Sequence, residues 1–258
     1  MLSKNQLKYI LQLHTKKGRA ESGLFIAEGV KIVEELLVSD FTVKEVVCTS
    51  VPALSERAEK TMLVSETELE KISGLVTPNE VLALVEIPQW ELDVKTLESK
   101  LTLVLDDIQD PGNMGTIIRI ADWFGIENII CSPNTVDCFN PKVVQSTMGS
   151  IARVKVHYVV LDQFLVELKA ANKDGFKIYG AVLEGTTIYN AKIEPKGLIV
   201  IGNESKGIST NVESMLTDKI SIPNFSHLKL GRGEVESLNA AVATAIICAE
   251  FRRVTAGK

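Results

Sequence analysis

Residues 101–105, Leu-Thr-Leu-Val-Leu, make an apolar run of strand length that Asp106 and Asp107 end abruptly. A few residues later the period changes, and Ile117, Ile118, Ile120, Ala121 and Phe124 recur at helical spacing. Pro111, Gly112 and Gly115 punctuate the changeover, so the chain must turn sharply where strand becomes helix. In open α/β sheets the carboxyl ends of such strands are where ligands bind. Asn113 and Arg119 flank this turn, and together they aim a carboxamide and a permanent cation at one rim. Taken alone, the segment reads equally as an ordinary turn with a surface arginine.

The pattern recurs. Leu198-Ile199-Val200-Ile201 is a second buried-strand run, ending in Gly202-Asn203-Glu204-Ser205-Lys206-Gly207-Ile208. Ile220-Ser221-Ile222-Pro223 follows, and then Glu236-Ser237-Leu238-Asn239-Ala240. Strands are expected at 101–105, 129–131, 154–159, 177–182, 198–201 and 219–222, with helices between them. A last helix over 237–253 carries an apolar stripe of Leu238, Ala241, Val242, Ala245, Ile246 and Ala249. This alternation predicts an α/β fold with a doubly wound, mainly parallel sheet.

The first 90 residues alternate independently. A helix is expected over 2–13, a strand over 24–27, and a helix over 30–38 with Ile32, Val33, Leu36 and Leu37 inward. Strands follow over 43–48 and 81–85. Pro88 and the acidic residues after it interrupt the periodicity, which predicts a smaller α/β domain over 1–90, a linker over 91–99 and a second domain over 100–258.

At 258 residues, 45% apolar and 24% charged, the composition is that of a globular protein. No apolar run approaches the roughly 18 residues needed to span a bilayer, and residues 1–6 lack the apolar core of a signal peptide. Cys48, Cys131, Cys138 and Cys248 are scattered, as expected of reduced thiols in a cytoplasmic protein, and His14, His157 and His227 are too dispersed for a metal site. The net charge of −5 argues against a uniformly basic nucleic-acid binder. Phosphates, however, are contacted locally. Residues 1–19 contain Lys4, Lys8, Lys16, Lys17 and Arg19 and no acid, which makes Lys16, Lys17 and Arg19 candidate RNA contacts. His227, Lys229 and Arg232 form a second cluster, whereas Arg252, Arg253 and Lys258 read as a solvated face.

Taken in order, the three junctions resemble the three motifs of the SpoU branch of the SPOUT methyltransferases, over about residues 101–253. The resemblance implies an enzyme that uses S-adenosylmethionine to methylate a ribose 2′-hydroxyl of ribosomal or transfer RNA. It also implies a deep trefoil knot and a homodimer paired through the helices around that knot. Its implied catalytic group is Asn113, Arg119, Glu204, Ser237 and Asn239, with Asn113 and Glu204 assisting Arg119. A guanidinium is a poor base near neutrality, so stabilising an alkoxide and clamping a phosphate suit Arg119 better. Gly202, Ile222 and Leu238 match the positions that line the cofactor pocket. Ser237 reads equally as an N-cap of the last helix, and Glu204 as a helix-capping acid.

Residues 16–29, with Phe25, Glu28 and Gly29, resemble the start of an L30e-like substrate-binding domain. There Glu28 would lie in the first turn of the next helix, where exposed amides favour a carboxylate. Two features depart from the family pattern. Ser205 stands where relatives commonly have Gly, and the stretch between Ile222 and Ser237 is long and lacks a Met after Pro223. Neither Gly202 to Gly207, followed by Ile208, nor Gly231-Arg232-Gly233 completes a phosphate-binding loop. Two rival readings are a base-nitrogen methyltransferase of the same fold and a non-catalytic RNA-binding protein.

Overall fold

A computed structural model describes residues 2–171, 176–225 and 237–255. The expected basic residues His227, Lys229, Arg232 and Lys258, and the Gly231-Arg232-Gly233 stretch, lie outside them. The chain forms two compact units, one of Met1–Trp90 with Asp137–Arg153, the other of Glu91–Val136 with Val154–Lys258.

The first unit begins with α1 (Lys4–Gln12), whose N-terminus is closed by a capping box between Ser3 and Gln6. Helices α2 (Lys16–Ser22) and α3 (Val30–Leu37) flank strand β1 (Leu24–Glu28). Strands β2 (Val43–Cys48) and β3 (Thr61–Leu63), the short helix α4 (Glu66–Glu70) and strand β4 (Val81–Glu86) follow. The sheet order is β1-β4-β2-β3, antiparallel except for the β2–β3 pair. The four expected inward residues of α3, Ile32, Val33, Leu36 and Leu37, are all buried. Three elements carry no period in the sequence. Helix α2 contains Gly18, which fits there because any Cβ would collide with the Gln12 carbonyl oxygen. β3 is a three-residue strand with little burial, and α4 is one turn held by its Ser65 cap.

The sheet of this unit buries both faces. Ile26, Leu82, Leu84 and Val47 pack with Ile10 and Leu13 on one side. Phe25 stacks with Phe41, and also with Phe139 at 4.7 Å between ring centroids, while Trp90 touches both partners. Phe139 precedes α7 (Pro141–Thr147), which packs on β1. Residues 137–153 therefore group with a domain expected to end at residue 90, because they complete its aromatic core. Glu28 also departs from its expected place. It ends β1, and its buried carboxylate accepts hydrogen bonds from Ser73 Oγ (2.5 Å) and Gly74 N (2.9 Å), so it fixes a loop rather than the start of α3.

Arg19 is the clearest correction to the basic cluster. Only 2% exposed, it donates from Nε and Nη2 to Asp137 Oδ2 (3.0 and 2.6 Å) and from Nη1 to the Leu13 carbonyl (3.0 Å). A guanidinium so occupied has no donor fork left for a phosphate, whereas Lys16 and Lys17 remain exposed.

The second unit starts at α5 (Val94–Leu97) and continues through β5 (Leu101–Asp106), α6 (Pro111–Trp123) and β6 (Asn128–Cys131). β7 (Lys155–Tyr158), α8 (Leu161–Ala171), β8 (Ile178–Thr187), β9 (Gly197–Gly202), α9 (Thr210–Glu213), β10 (Asp218–Ser221) and α10 (Ala240–Thr255) complete it. Six parallel strands lie in the order β10-β8-β9-β5-β6-β7. All six residues of β5 are buried, as an unbroken apolar run requires of a central parallel strand. On one face α8 seats Leu161, Leu165 and Leu168 against Val104, Ile130 and Val200. α6 packs with α10, and Phe251 of α10 meets Tyr179 of β8 edge to face.

Replacing Arg19 by Ala should lower stability by about 3 kcal/mol, because it strands a largely buried carboxylate. Replacing Lys16 or Lys17 by Ala should change it by no more than about 0.5 kcal/mol. Urea unfolding midpoints of the three variants would measure the difference.

Candidate functional site

The sheet changes winding direction between β5 and β9, which pair from Leu101↔Gly197 to Asp106↔Gly202. From β5 the chain steps outward through β6 and β7, then returns on the other side through β8. The carboxyl ends of β5 and β9 are thus the place where an open α/β sheet leaves a crevice. Three of the expected polar residues meet there.

Each is delivered by a local device. Asp110 caps α6 by accepting from Asn113 N at 2.7 Å, and Pro111 opens the helix at a position where no N–H is needed. Asn113 is thereby fixed in the first turn, and it is buried. Glu204 stands in a tight loop after β9, where Asn203 and Gly207 exchange two backbone hydrogen bonds of 3.0 and 2.8 Å. Asn239 caps α10, its Oδ1 accepting from Ala241 N (3.1 Å) and Val242 N (3.2 Å). The last helix therefore starts at Ala240 with Asn239 as its cap, and not at Ser237 as the sequence suggests.

Glu204 Oε1 joins the three. It accepts from Asn113 Nδ2 at 2.7 Å, Asn239 Nδ2 at 2.9 Å and Ala240 N at 3.0 Å. Asn239 Nδ2 also reaches Asn113 Oδ1 at 2.7 Å. Among the described residues the carboxylate has no cationic partner; amide dipoles and the amino end of α10 stabilise it. The alternative reading of Glu204 as a helix-capping acid is thus part of its geometry, since it tops α10 while holding both asparagines.

Arg119 is not in this cluster. Six residues beyond Asn113 on the same helix, it is displaced by about 9 Å along the axis and turned about 120° around it. It is exposed, and among the described residues its side chain has no hydrogen-bond or ion-pair partner. Among the described residues no hydrogen bond joins Arg119 to Asn113 or Glu204, whose side chains bond to each other.

A cavity of about 530 Å³ opens beside the cluster. Gly202, Glu204, Ile222, Ser237 and Leu238, all expected site residues, line it. Sequence reasoning misses Ala181, Val182 and Leu183, which also line it. They belong to residues 181–185, where β8 leaves its pairing with β10 between Tyr179–Gly180 and Thr186–Thr187, and an interrupted ladder has no signature in hydrophobic period. Gly202 is also required by the chain's own packing. A Cβ on it would lie 2.3 Å from Gly207 C and 2.4 Å from Ile208 N, so the loop could not fold back on the strand end.

The four cysteines are free and buried, and burial pushes the Cys248 thiol up to about 12, so it is not a nucleophile. Among the described residues no group of side chains is arranged to hold a metal ion, and no helix is long and apolar enough to cross a membrane.

Substituting Ala for Gly202 should cost about 1–3 kcal/mol through overpacking against the loop backbone. Thermal unfolding would read this loss, and a variant as stable as the wild type would show that the loop can shift.

Residues 100–249 match the model of the SpoU rRNA Methylase family, and residues 4–83 match an MRM3-like substrate binding domain. The chain is 33% identical over 255 residues to the 23S rRNA (guanosine(2553)-2′-O)-methyltransferase RlmP of Bacillus subtilis, covering 97% of each. Among solved structures, a TrmH-family protein of Porphyromonas gingivalis shares 36% identity at a TM-score of 0.86, covering 98% of this chain and 99% of that one. An AdoMet-bound rRNA methyltransferase from Sinorhizobium meliloti shares 28% at 0.85, covering 98% and 96%. The chain belongs to the SpoU rRNA methylase family and is an RNA methyltransferase that carries an MRM3-like substrate-binding domain.

Proposed function

We propose that the chain methylates a ribose 2′-hydroxyl of ribosomal RNA using S-adenosylmethionine, the modification for which its relative RlmP is named. One observation carries the reading: the Asn113–Glu204–Asn239 cluster lies at the strand ends where the sheet reverses, beside a cavity lined by the cofactor-pocket positions. Transfer RNA is the second substrate class the family resemblance allows.

The cavity suits that cofactor. Its volume falls within the range of small-molecule sites, and Ile201, Ile208, Ile220, Ile222 and Leu238 give it apolar walls. Its charged lining residues are Glu204, Glu213 and Lys206, and Lys219 pairs with Glu213 at 2.5 Å. Among the described residues the lining carries two carboxylates and one lysine, which favours a cofactor with positive charge over one with a diphosphate. Gly202, Ile222 and Leu238 would hold the adenosine part, and S-adenosylmethionine would supply a methyl carbon activated by its sulfonium.

The RNA side of the reaction falls to Arg119. Exposed and without a partner among the described residues, its guanidinium can clamp a phosphate in bidentate fashion and stabilise the alkoxide that develops on the ribose. Asn113, Glu204 and Asn239 act as a rigid polar floor, and Ser237 borders the cofactor. Lys16 and Lys17 contribute phosphate contacts from the substrate-binding domain. The reading includes the deep trefoil knot of the family and a cytoplasmic location.

It also includes a homodimer. Trp123 at the end of α6 is 84% exposed, Val242 and Leu238 are about half exposed, and Ala249 is exposed on α10, which packs against α6. Exposed apolar side chains on two packed helices mark an interface, and a two-fold pair is the commonest way to cover one. In such a pair a cation of one subunit can serve the site of the other, which would account for Arg119 standing apart from its own cluster. Changing both Ala245 and Ala249 to Glu should give monomers in sedimentation and abolish transfer. Full activity in a monomer would rule the pair out.

The reaction itself is tested with undermodified ribosomal RNA and labelled cofactor. Methylation at the ribose leaves an alkali-resistant dinucleotide, whereas label in a free base nucleotide would transfer the assignment to a base methyltransferase. In the same assay Arg119→Ala should lose at least about a hundredfold in rate while cofactor affinity by calorimetry stays near that of the wild type.

A further inference from the structure

The reaction cluster depends on two loops that are almost a hundred residues apart in the chain, and Asn203 is the side chain that ties them together. Its Nδ2 donates to the Asp107 carbonyl oxygen at 2.8 Å. Its Oδ1 accepts from Ser205 N (2.9 Å) and Lys206 N (3.1 Å), closing the turn that presents Glu204. One carboxamide therefore bonds to the loop after β5 with its donor end and to the loop after β9 with its acceptor end.

The Asp107 end of this link needs holding. Asp107 has φ of +64°, in the left-handed region that a non-glycine residue occupies at a cost. Both of its backbone polar groups are bonded: N–H donates to Ser132 Oγ at 2.9 Å, and the carbonyl receives Asn203. Ser132 Oγ lies 3.0 Å from Thr135 Oγ1, which donates to the Leu105 carbonyl at 3.2 Å, so the far side of the bend is braced to β5. Three residues after Asp107 comes Asp110, the cap that sets the first turn of α6 and with it Asn113. The bend at Asp107 thus fixes where Asn113 arrives, and Asn203 fixes that bend relative to Glu204.

We infer that Asn203 is a positioning residue for methyl transfer, acting through Glu204 by locking the distance between the two loops that carry Asn113 and Glu204. Asn203 also lines the cavity, but the role assigned to it runs through Glu204 and not through contact with the reacting atoms. The inference rests on the methyltransferase reading, and it assigns a role to a residue that the motif resemblance passes over. A displacement near 1 Å in a reacting constellation is enough to cost about a hundredfold in rate, so a lost cross-link of this kind should be felt in turnover before it is felt in binding.

Asn203→Asp separates the two ends of the carboxamide. It keeps an oxygen for the Ser205 and Lys206 amides, so the turn can form, but it cannot donate to Asp107 and sets a negative charge against that carbonyl. Because Asn203 lines the cofactor cavity, rates are compared at saturating cofactor, with affinity measured by calorimetry, and the expected result is a folded protein. Its single-turnover transfer rate should fall about ten- to a hundredfold, with the RNA KM little changed. Asn203→Ala should lose at least as much rate. In a Glu204→Ala background it should add less than about threefold, because residues that act as one unit are not additive.

An active wild type with an equally active Asn203→Asp variant overturns the positioning role alone. So do losses that multiply in the double variant, or failure of both single variants to fold, which would make Asn203 a stability residue. A wild type that transfers no methyl group to ribosomal RNA overturns the functional reading, and the positioning role with it.

Discussion

Three donors at the rim of the parallel sheet converge on a single carboxylate oxygen. Glu204 Oε1 receives three donors, one each from the start of α6, the cap of α10 and the first amide of α10. A charged acceptor makes hydrogen bonds roughly twice as strong as a neutral one, and among the described residues no counter-ion competes for the charge. The three donor residues lie 91, 35 and 36 residues from it in sequence. No apolar packing could specify their mutual placement to a few tenths of an ångström, because hydrophobic contact is non-directional. The sheet brings the segments to the same rim, and the carboxylate sets their distances.

That division of labour explains why the strand ends are so restrictive in composition. The loop after β9 must double back within five residues to point Glu204 at α6, and the doubling is tight enough that only hydrogen fits at Gly202. Ser205, the residue that departs from the family pattern, is exposed and uses only its backbone amide in the turn, which makes its side chain a tolerable substitution. Asp106 is buried at the end of β5 and accepts from Ser209 N at 2.7 Å, so the strand end also anchors the helix that follows the loop.

Most of the sheet is legible in the amino-acid sequence. Each of the six parallel strands starts within a few residues of its expected place, because an unbroken apolar run bounded by Gly, Pro or Asp has few other uses in an α/β chain. The inward face of α3 is legible for the same reason: period survives where one face is buried. What escapes is what period does not encode. α2, β3 and α4 are too short to show one. The interruption of β8 near residues 181–185 is a break in pairing, not in composition, and the strand resumes as far as Thr187. In the site, residue types point to the right neighbours: Asn113, Glu204 and Asn239 do meet, and the expected cofactor positions line one cavity. The arrangement within the group is not legible, since a motif says which side chains matter and not which of them bond. Arg19 illustrates the limit best. In sequence it belongs to a run of cations, and only the position of Asp137, 118 residues away, reveals that it is internal.

That pairing bears on how the chain is made. A domain whose partner residues all lie within its first ninety positions can fold as soon as those residues leave the ribosome, and N-terminal domains generally do fold first during synthesis. Here Arg19, Phe25 and Glu35 wait for Asp137, Phe139 and Arg153. At about 5–20 residues per second the interval is several seconds, during which the guanidinium lacks its carboxylate and Phe25 has Phe41 but not yet Phe139 against it. Completion of the substrate-binding domain is therefore a late event in synthesis, timed by a stretch of chain encoded in the middle of the methyltransferase.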